Sequence, residues 1–331
     1  MSIFIEEPKH SSVNEIQRER GKEIHRKTGR TFYYATRLLP ERTRDCTYVL
    51  YGFFRIADEI VDGNHDKSLD TQLKQLESLR ESALGREEPD DPVVEAFSAI
   101  REEAGIPDSE VDAFIDAMCA DLETARYETF ADLREYMRGS AAAVGNMMTA
   151  IMEVDEPAVA RPHAMALGEA FQLTNFLRDV KEDIDELDRV YLPLETLERY
   201  GVTVEQLERG ECTPGFRRAI RSELHRTEQL YHRGVSGIEY LPEDCQFAVL
   251  VAAVLYAEHH RLIRRQEFDV LTTRPTLSRS RKLWLILRTW LSWRRLRDPV
   301  TVFRRVGAIP ADDTEADGKT DELDYGVPST N

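Results

Sequence analysis

Lysine is scarce in this chain: of 44 basic residues 8 are lysines and 36 arginines, set against 61 aspartates and glutamates. The resulting net charge of -17 excludes a general affinity for nucleic acid, which needs a basic surface. A Lys-poor, acid-rich balance fits a protein of a salt-loving organism, because strong screening tolerates dense surface carboxylates. Cysteine is equally sparse. Cys46, Cys119, Cys212 and Cys245 lie far apart, with neither CxxC nor His-interleaved spacing, so a zinc site is excluded and ordinary, mostly buried thiols are expected. Long apolar runs are missing too, and none approaches the length needed to cross a bilayer. The opening MSIFIEEPKH lacks the basic region and apolar stretch of a secretory signal. A cytoplasmic location is the expectation.

Alternating β-branched runs are also rare, while apolar residues recur at three- and four-residue spacing through most of the chain. That period predicts an all-α fold. Breakers at Pro40, Gly63, Pro89 to Pro92, Gly105 to Pro107, Pro157, Pro193, Gly201, Pro214, Pro242 and Pro275 divide it into roughly ten helices. No solenoid repeat appears, so one catalytic helical domain over 13–305 is expected. Residues 1–12 and the acidic stretch 306–331 lack periodicity and are expected to be disordered.

Two helical segments carry chemistry. In YGFFRIADEIVD, Tyr51 to Asp62, the carboxylates of Asp58 and Asp62 are four apart and share a helix face, with Arg55 one turn earlier. In QLTNFLRDVKED, Gln172 to Asp183, the same interval places Asn175, Asp179 and Asp183 on one face beside Arg178. A lone acid pair of this kind is usually a solvated stripe, and that reading holds for Glu182, Asp185, Glu186 and Asp188. Two copies set among apolar residues are harder to dismiss, since carboxylates crowded at one cavity need cations. Mg²⁺ takes oxygen ligands from one or two carboxylates together with substrate phosphates. Arg55 and Arg178 suit phosphate oxygens as charged donors. The adjacent His259 and His260 diverge by about 100° on a helix, and a surface position is expected for them.

With these residues in view, the chain resembles the squalene and phytoene synthase family from about residue 22 to 283. GRTFYYATRLLP, Gly29 to Pro40, is similar to the family's opening motif. Arg55 to Asp62 resembles its first aspartate-rich motif, and Gln172 to Pro193, ending DRVYLP, its second. YMRGSAAAVG, Tyr136 to Gly145, is similar to its tyrosine and small-residue helix, where small side chains would let a substrate tail approach the backbone. The resemblance implies an isoprenoid-synthase-type bundle of antiparallel helices around an apolar tunnel, with the aspartate motifs facing each other at its mouth. It implies head-to-head condensation of two geranylgeranyl diphosphates, through a cyclopropyl diphosphate, to phytoene. Metal would be held by Asp58, Asp62, Asn175, Asp179 and Asp183. Mg²⁺ is the implied cofactor, with Mn²⁺ as a substitute and no nicotinamide cofactor. Prenyl diphosphates would be bound by Tyr34, Tyr51, Phe54, Arg55, Tyr136, Gln172, Asn175, Arg178, Tyr256 and Arg274. Phe171 joins the aromatic faces that would shield a cation. Downstream carotenoid enzymes are implied partners. Some members carry histidine where Thr28 stands and tyrosine where Arg138 stands, so roles of those side chains do not transfer. Squalene or dehydrosqualene formation from C15 donors is the enzymatic alternative, and a non-catalytic assembly module is the alternative of another class.

Beyond that resemblance lies RKLWLILRTWLSWRRLR at 281–297, which holds all three tryptophans and no acid. Interfacial helices combine Trp, Leu and Arg in this way, so peripheral membrane contact is one expectation and packing on the bundle the other.

Overall fold

The computed structural model describes residues 14–63 and 67–310. Caps and breakers set the helix ends. Helix α1 (Glu15–Thr28) opens on a reciprocal Asn14 and Gln17 capping box, α2 (Arg30–Thr36) follows, and α3 (Glu41–Asp62) runs from Pro40 to Gly63 as expected. Next come α4 (Leu69–Ala83), α5 (Pro92–Ala104), which Gly105 closes at φ 66°, and α6 (Asp108–Glu123). Helix α7 (Phe130–Met137) passes through a π turn (Arg138–Ala142) into α8 (Ala143–Ile151). The 31-residue α9 (Pro157–Leu187) is followed by the short α10 (Leu194–Arg199) and α11 (Val204–Glu208). Then come α12 (Pro214–Ser236), α13 (Glu243–Arg265), α14 (Arg279–Leu296) and α15 (Pro299–Val306). The described residues thus form fifteen α-helices and no named strand. That exceeds ten because single glycines and short polar turns, such as Gly29 between α1 and α2, separate elements that periodicity alone joins.

Antiparallel pairing is clear between α9 and α12, where His163 Nδ1 lies 2.7 Å from the Arg233 carbonyl and Thr174 Oγ1 lies 3.0 Å from the Tyr231 hydroxyl. A Cβ on Gly234 would come within 2.7 Å of Leu167, so only glycine permits this approach. The core holds Phe53 stacked on Phe97 at 3.9 Å, and a second cluster packs Leu177, Val180 and Ile184 against Phe216, Ile220 and Ile263. Helices α3, α8, α9 and α13 enclose an apolar cavity of ≈ 240 Å³, with Leu50, Phe54, Met148, Gly168, Phe171 and Ala252 among its walls.

The small residues after Tyr136 serve packing as well as the cavity. A Cβ on Gly139 would sit 2.0 Å from the Ala113 carbonyl oxygen of α6, and one on Gly145 would sit 2.5 Å from that of Ala164 in α9. Packed chain continues to Pro310, with Val306 and Ile309 buried, five residues into the stretch read as tail. The segments 1–13 and 311–331 lie outside the described residues. Two thiols, Cys46 and Cys245, are buried, and Cys119 and Cys212 half-buried.

Candidate active site

Along α3 the cavity residues Leu50, Tyr51 and Phe54 precede Arg55, Asp58 and Asp62; along α9 the cavity residues Ala164, Gly168 and Phe171 precede Asn175, Asp179 and Asp183. Both helices therefore run from apolar wall to acid. The same i, i+4 spacing that keeps each acid pair on one face also keeps it in line with the aromatic residues below it.

Each pair is attended by arginine. Arg55 Nη1 donates to Asp58 Oδ2 at 3.3 Å, and its buried Nε has no partner among the described residues. Arg178 grips Asp179 with two donors, its Nε at 2.7 Å from Oδ1, and Arg274 Nε donates to the same oxygen at 2.7 Å while also pairing with Glu182. Arg189, whose backbone N–H donates to the Asp183 carbonyl at 3.0 Å, links the end of α9 to α3. Its Nη1 donates to Asp62 Oδ1 at 3.1 Å and its Nη2 to the Asp121 carbonyl at 2.9 Å.

These arginines do not offset all of the acidity. About 37% of the Asp58 side chain meets water, yet desolvation, reinforced by Asp62 and Asp121 and opposed by Arg55, pushes its carboxyl up to about 7. Desolvation together with Asp179 and Glu182 pushes Asp183 up to about 8. The donor set fits a hard divalent cation: all ligating atoms are oxygens, and burial raises the proton affinity of Asp58 and Asp183. Among the described residues no three ligating side chains converge on one point, so a cation held here would need further ligands from water or substrate.

The remaining residues expected at the site are distributed around it. Tyr51 and Phe54 line the cavity, joined by Phe32 and Phe171. Tyr256 is buried against Phe32 and Phe171, at ring-centroid distances of 5.0 and 4.8 Å, and burial pushes its phenol up. Gln172 and Asn175 are half-buried. Tyr34 is not among the cavity walls; Lys282 Nζ lies 5.6 Å from its ring centroid. Tyr136 donates to Asp121 Oδ2 at 2.7 Å, and Tyr191 donates to Asp121 Oδ1 at 3.1 Å.

Sequence reasoning missed Asp121, Arg189 and Tyr191 as site residues. A signal existed for Asp121. It follows Phe114 by seven positions and Met118 by three, so it falls in the apolar register of α6, an odd place for a solvated acid. Burial raises its carboxyl to about 6, against the pull of Arg189 and the two tyrosines. His259 and His260 are corrected: they are 3% and 0% exposed. Both azimuths are covered because α13 is enclosed by neighbouring helices. His260 Nδ1 lies 3.1 Å from Glu228 Oε1 and its Nε2 lies 3.0 Å from Thr174 Oγ1, while His259 Nδ1 lies 3.1 Å from the Tyr256 carbonyl.

Fold and site together define an all-helical prenyltransferase, with an apolar cavity surmounted by two arginine-attended aspartate pairs. The chain belongs to the squalene/phytoene synthase family, whose model matches residues 25–281. It is 34% identical over 285 residues to a phytoene synthase of Rhodobacter capsulatus, covering 85% of this chain and 83% of the relative. It is 33% identical to a phytoene synthase of Thermus thermophilus, covering 80% of this chain and 89% of that one. Among solved structures it is similar to a dehydrosqualene synthase crystallised with ligand, at TM-score 0.76 and 28% identity over 86% of this chain and 99% of the other. A squalene synthase from Alicyclobacillus acidocaldarius gives TM-score 0.69 at 25% identity, over 79% and 99%.

Proposed function

We propose that this protein condenses two geranylgeranyl diphosphates head to head, through a cyclopropyl diphosphate, to phytoene in carotenoid biosynthesis. The observation that carries the reading is the pair of aspartate faces on α3 and α9, joined through Arg189 and Asp62 above an apolar cavity. The identity with proteins named phytoene synthase supports C40 over C30, and the likeness to a dehydrosqualene and a squalene synthase keeps C15 donors as the alternative.

Asp58, Asp62, Asp179 and Asp183, with Asn175, would hold Mg²⁺ or Mn²⁺, which when bound supplies the positive charge that draws diphosphate away as a leaving group. Arg55 meets the same anion with its unpartnered Nε. Arg178 and Arg274 exchange aspartate for diphosphate oxygens. Tyr51, Phe54 and Phe171 face the allylic cation with their π-electrons, and the apolar walls keep water from capturing it. The last step loses a proton, which the released diphosphate accepts, so no nicotinamide cofactor is used. Substrate and product are lipids, so the enzyme works as a peripheral protein on the inner face of the cell membrane and passes phytoene to downstream carotenoid enzymes.

Incubation with Mg²⁺ and either the C15 or the C20 diphosphate, with and without a nicotinamide cofactor, followed by product identification, tests the reading. Phytoene from C20 without nicotinamide is expected. A C30 product alone selects the alternative, and no condensation from either donor selects a non-catalytic module.

A further inference from the structure

Helix α14 divides its side chains into two opposed sets. Lys282, Leu285, Thr289 and Trp293 are buried against the bundle, and Lys282 Nζ donates to Thr31 Oγ1 at 2.8 Å. Leu283, Trp284, Leu287, Trp290 and Leu291 point the other way, between 40% and 58% exposed. At 100° per residue these five fall within about 120° of arc, centred opposite the buried set. The sequence left packing and membrane contact as alternatives; the helix has a face suited to each.

Charge follows the apolar stripe. Arg294 lies within it, and Arg288 and Arg295 flank it. All three are exposed, and none has an acidic partner among the described residues. The guanidinium carbons of Arg288 and Arg294 sit instead 5.2 and 4.9 Å from the ring centroids of Trp284 and Trp290. In a chain of net charge -17, this is a local reversal of sign on an apolar ridge.

We propose that the outer face of α14 docks on an anionic phospholipid surface, with Leu283, Trp284, Leu287, Trp290 and Leu291 at the headgroup boundary and Arg288, Arg294 and Arg295 on lipid phosphates. The occupant is argued from complementarity. Indole and guanidinium groups favour the headgroup layer, and an anionic leaflet attracts cations near its surface. A second copy meeting α14 with α14 is disfavoured because a two-fold contact sets each arginine cluster against its own image. This inference rests on the lipid chemistry of the proposed function for its purpose, but not for its test.

Because the three tryptophans of the whole chain all belong to α14, tryptophan fluorescence, excited selectively over tyrosine, reports on this helix alone. Titrating the full chain with phosphatidylcholine vesicles, and with vesicles containing phosphatidylglycerol, is expected to give a blue shift and co-sedimentation with the anionic vesicles only. Changing Arg288, Arg294 and Arg295 to Gln is expected to weaken partitioning about fivefold per arginine. Leu287→Gln with Trp290→Gln is expected to abolish the blue shift. Circular dichroism and turnover of detergent-dispersed substrate should be unchanged in both variants. Absence of binding to anionic vesicles by a folded parent overturns the proposal, as does undiminished binding by both variants. Concentration-dependent dimerisation lost on Leu287→Gln with Trp290→Gln, without vesicle binding, also overturns it and assigns the face to a second copy. Binding by a chain that forms no prenyl product would sink the proposed function and leave the docking face standing.

Discussion

The acids that follow the cavity residues along α3 and α9 are held against their own charge. A carboxyl raised to about 7 or 8 binds its proton more tightly folded than unfolded. Without cation, Asp58 and Asp183 therefore reduce stability as pH rises above the ordinary carboxylate range through those values. Asp58→Asn and Asp183→Asn are each expected to lower turnover by about a hundredfold or more. The metal-free variants should melt no lower than the parent, because a desolvated charge has been removed. Steady-state assay beside a thermal melt in chelator checks both halves, and parent-like turnover in both variants defeats the metal-cluster model. His25 carries the opposite sign. It is fully buried, stacked on Tyr51 at 3.9 Å, with neither ring nitrogen partnered among the described residues. Burial depresses it to about 3, so the folded state binds fewer protons than the unfolded one between about 3 and 6.5. Its contribution is present above pH 6.5 and is lost on acidification, at about 1 kcal/mol per pH unit. His25→Phe should flatten the acid limb of a denaturant-midpoint profile between pH 6.5 and 4.5; an unchanged slope contradicts this account.

Helices that a breaker bounds and an amphipathic period fills were legible from residues alone. The span of α3 follows from Pro40 and Gly63, and its Asp58 and Asp62 register from spacing. Azimuth on an enclosed stretch of helix was not, which is why His259 and His260 were read as surface: over residues 250–260 α13 has no solvent face for the pattern to mark. Nor could spacing reveal Arg189, whose role depends on where the chain after α9 returns toward α3. At this scale a tight constraint is the close approach at the π turn. Gly139→Ala drives its methyl 2.0 Å from the Ala113 oxygen and 2.7 Å from the Ala117 Cβ. Overpacking there is expected to cost about 1–3 kcal/mol and to shift Tyr136 relative to Asp121. A melt lowered by several degrees together with reduced turnover is the expected pair of results, and an unchanged melt would show that α6 yields.

For the whole molecule, the net charge of -17 carries a prediction about working conditions. Many acids are paired by exposed arginines, as where Arg86 meets Glu81 and Asp108, and such surface pairs contribute little individually. The uncompensated -17 is what salt relieves. We propose halophilic character from this balance, which predicts a melting temperature that rises with KCl from low to molar concentration; full stability without molar salt removes that idea. All-α class and the two aspartate faces could be read in the sequence because each rests on local spacing, and the family because its motifs are contiguous segments that resemble it, whereas the Asp121, Tyr136 and Tyr191 cluster required the fold to bring three distant segments together.

The π turn has one more consequence, for chain length rather than for packing. A π turn holds one residue more than an α-helix needs over the same rotation. Removing one residue between 138 and 142 would close α7 and α8 into a single uninterrupted helix, with Tyr136 still turned to Asp121 and Gly145 still turned to α9. Within this helix, the turn is therefore the place where this chain could lose a residue and keep its frame.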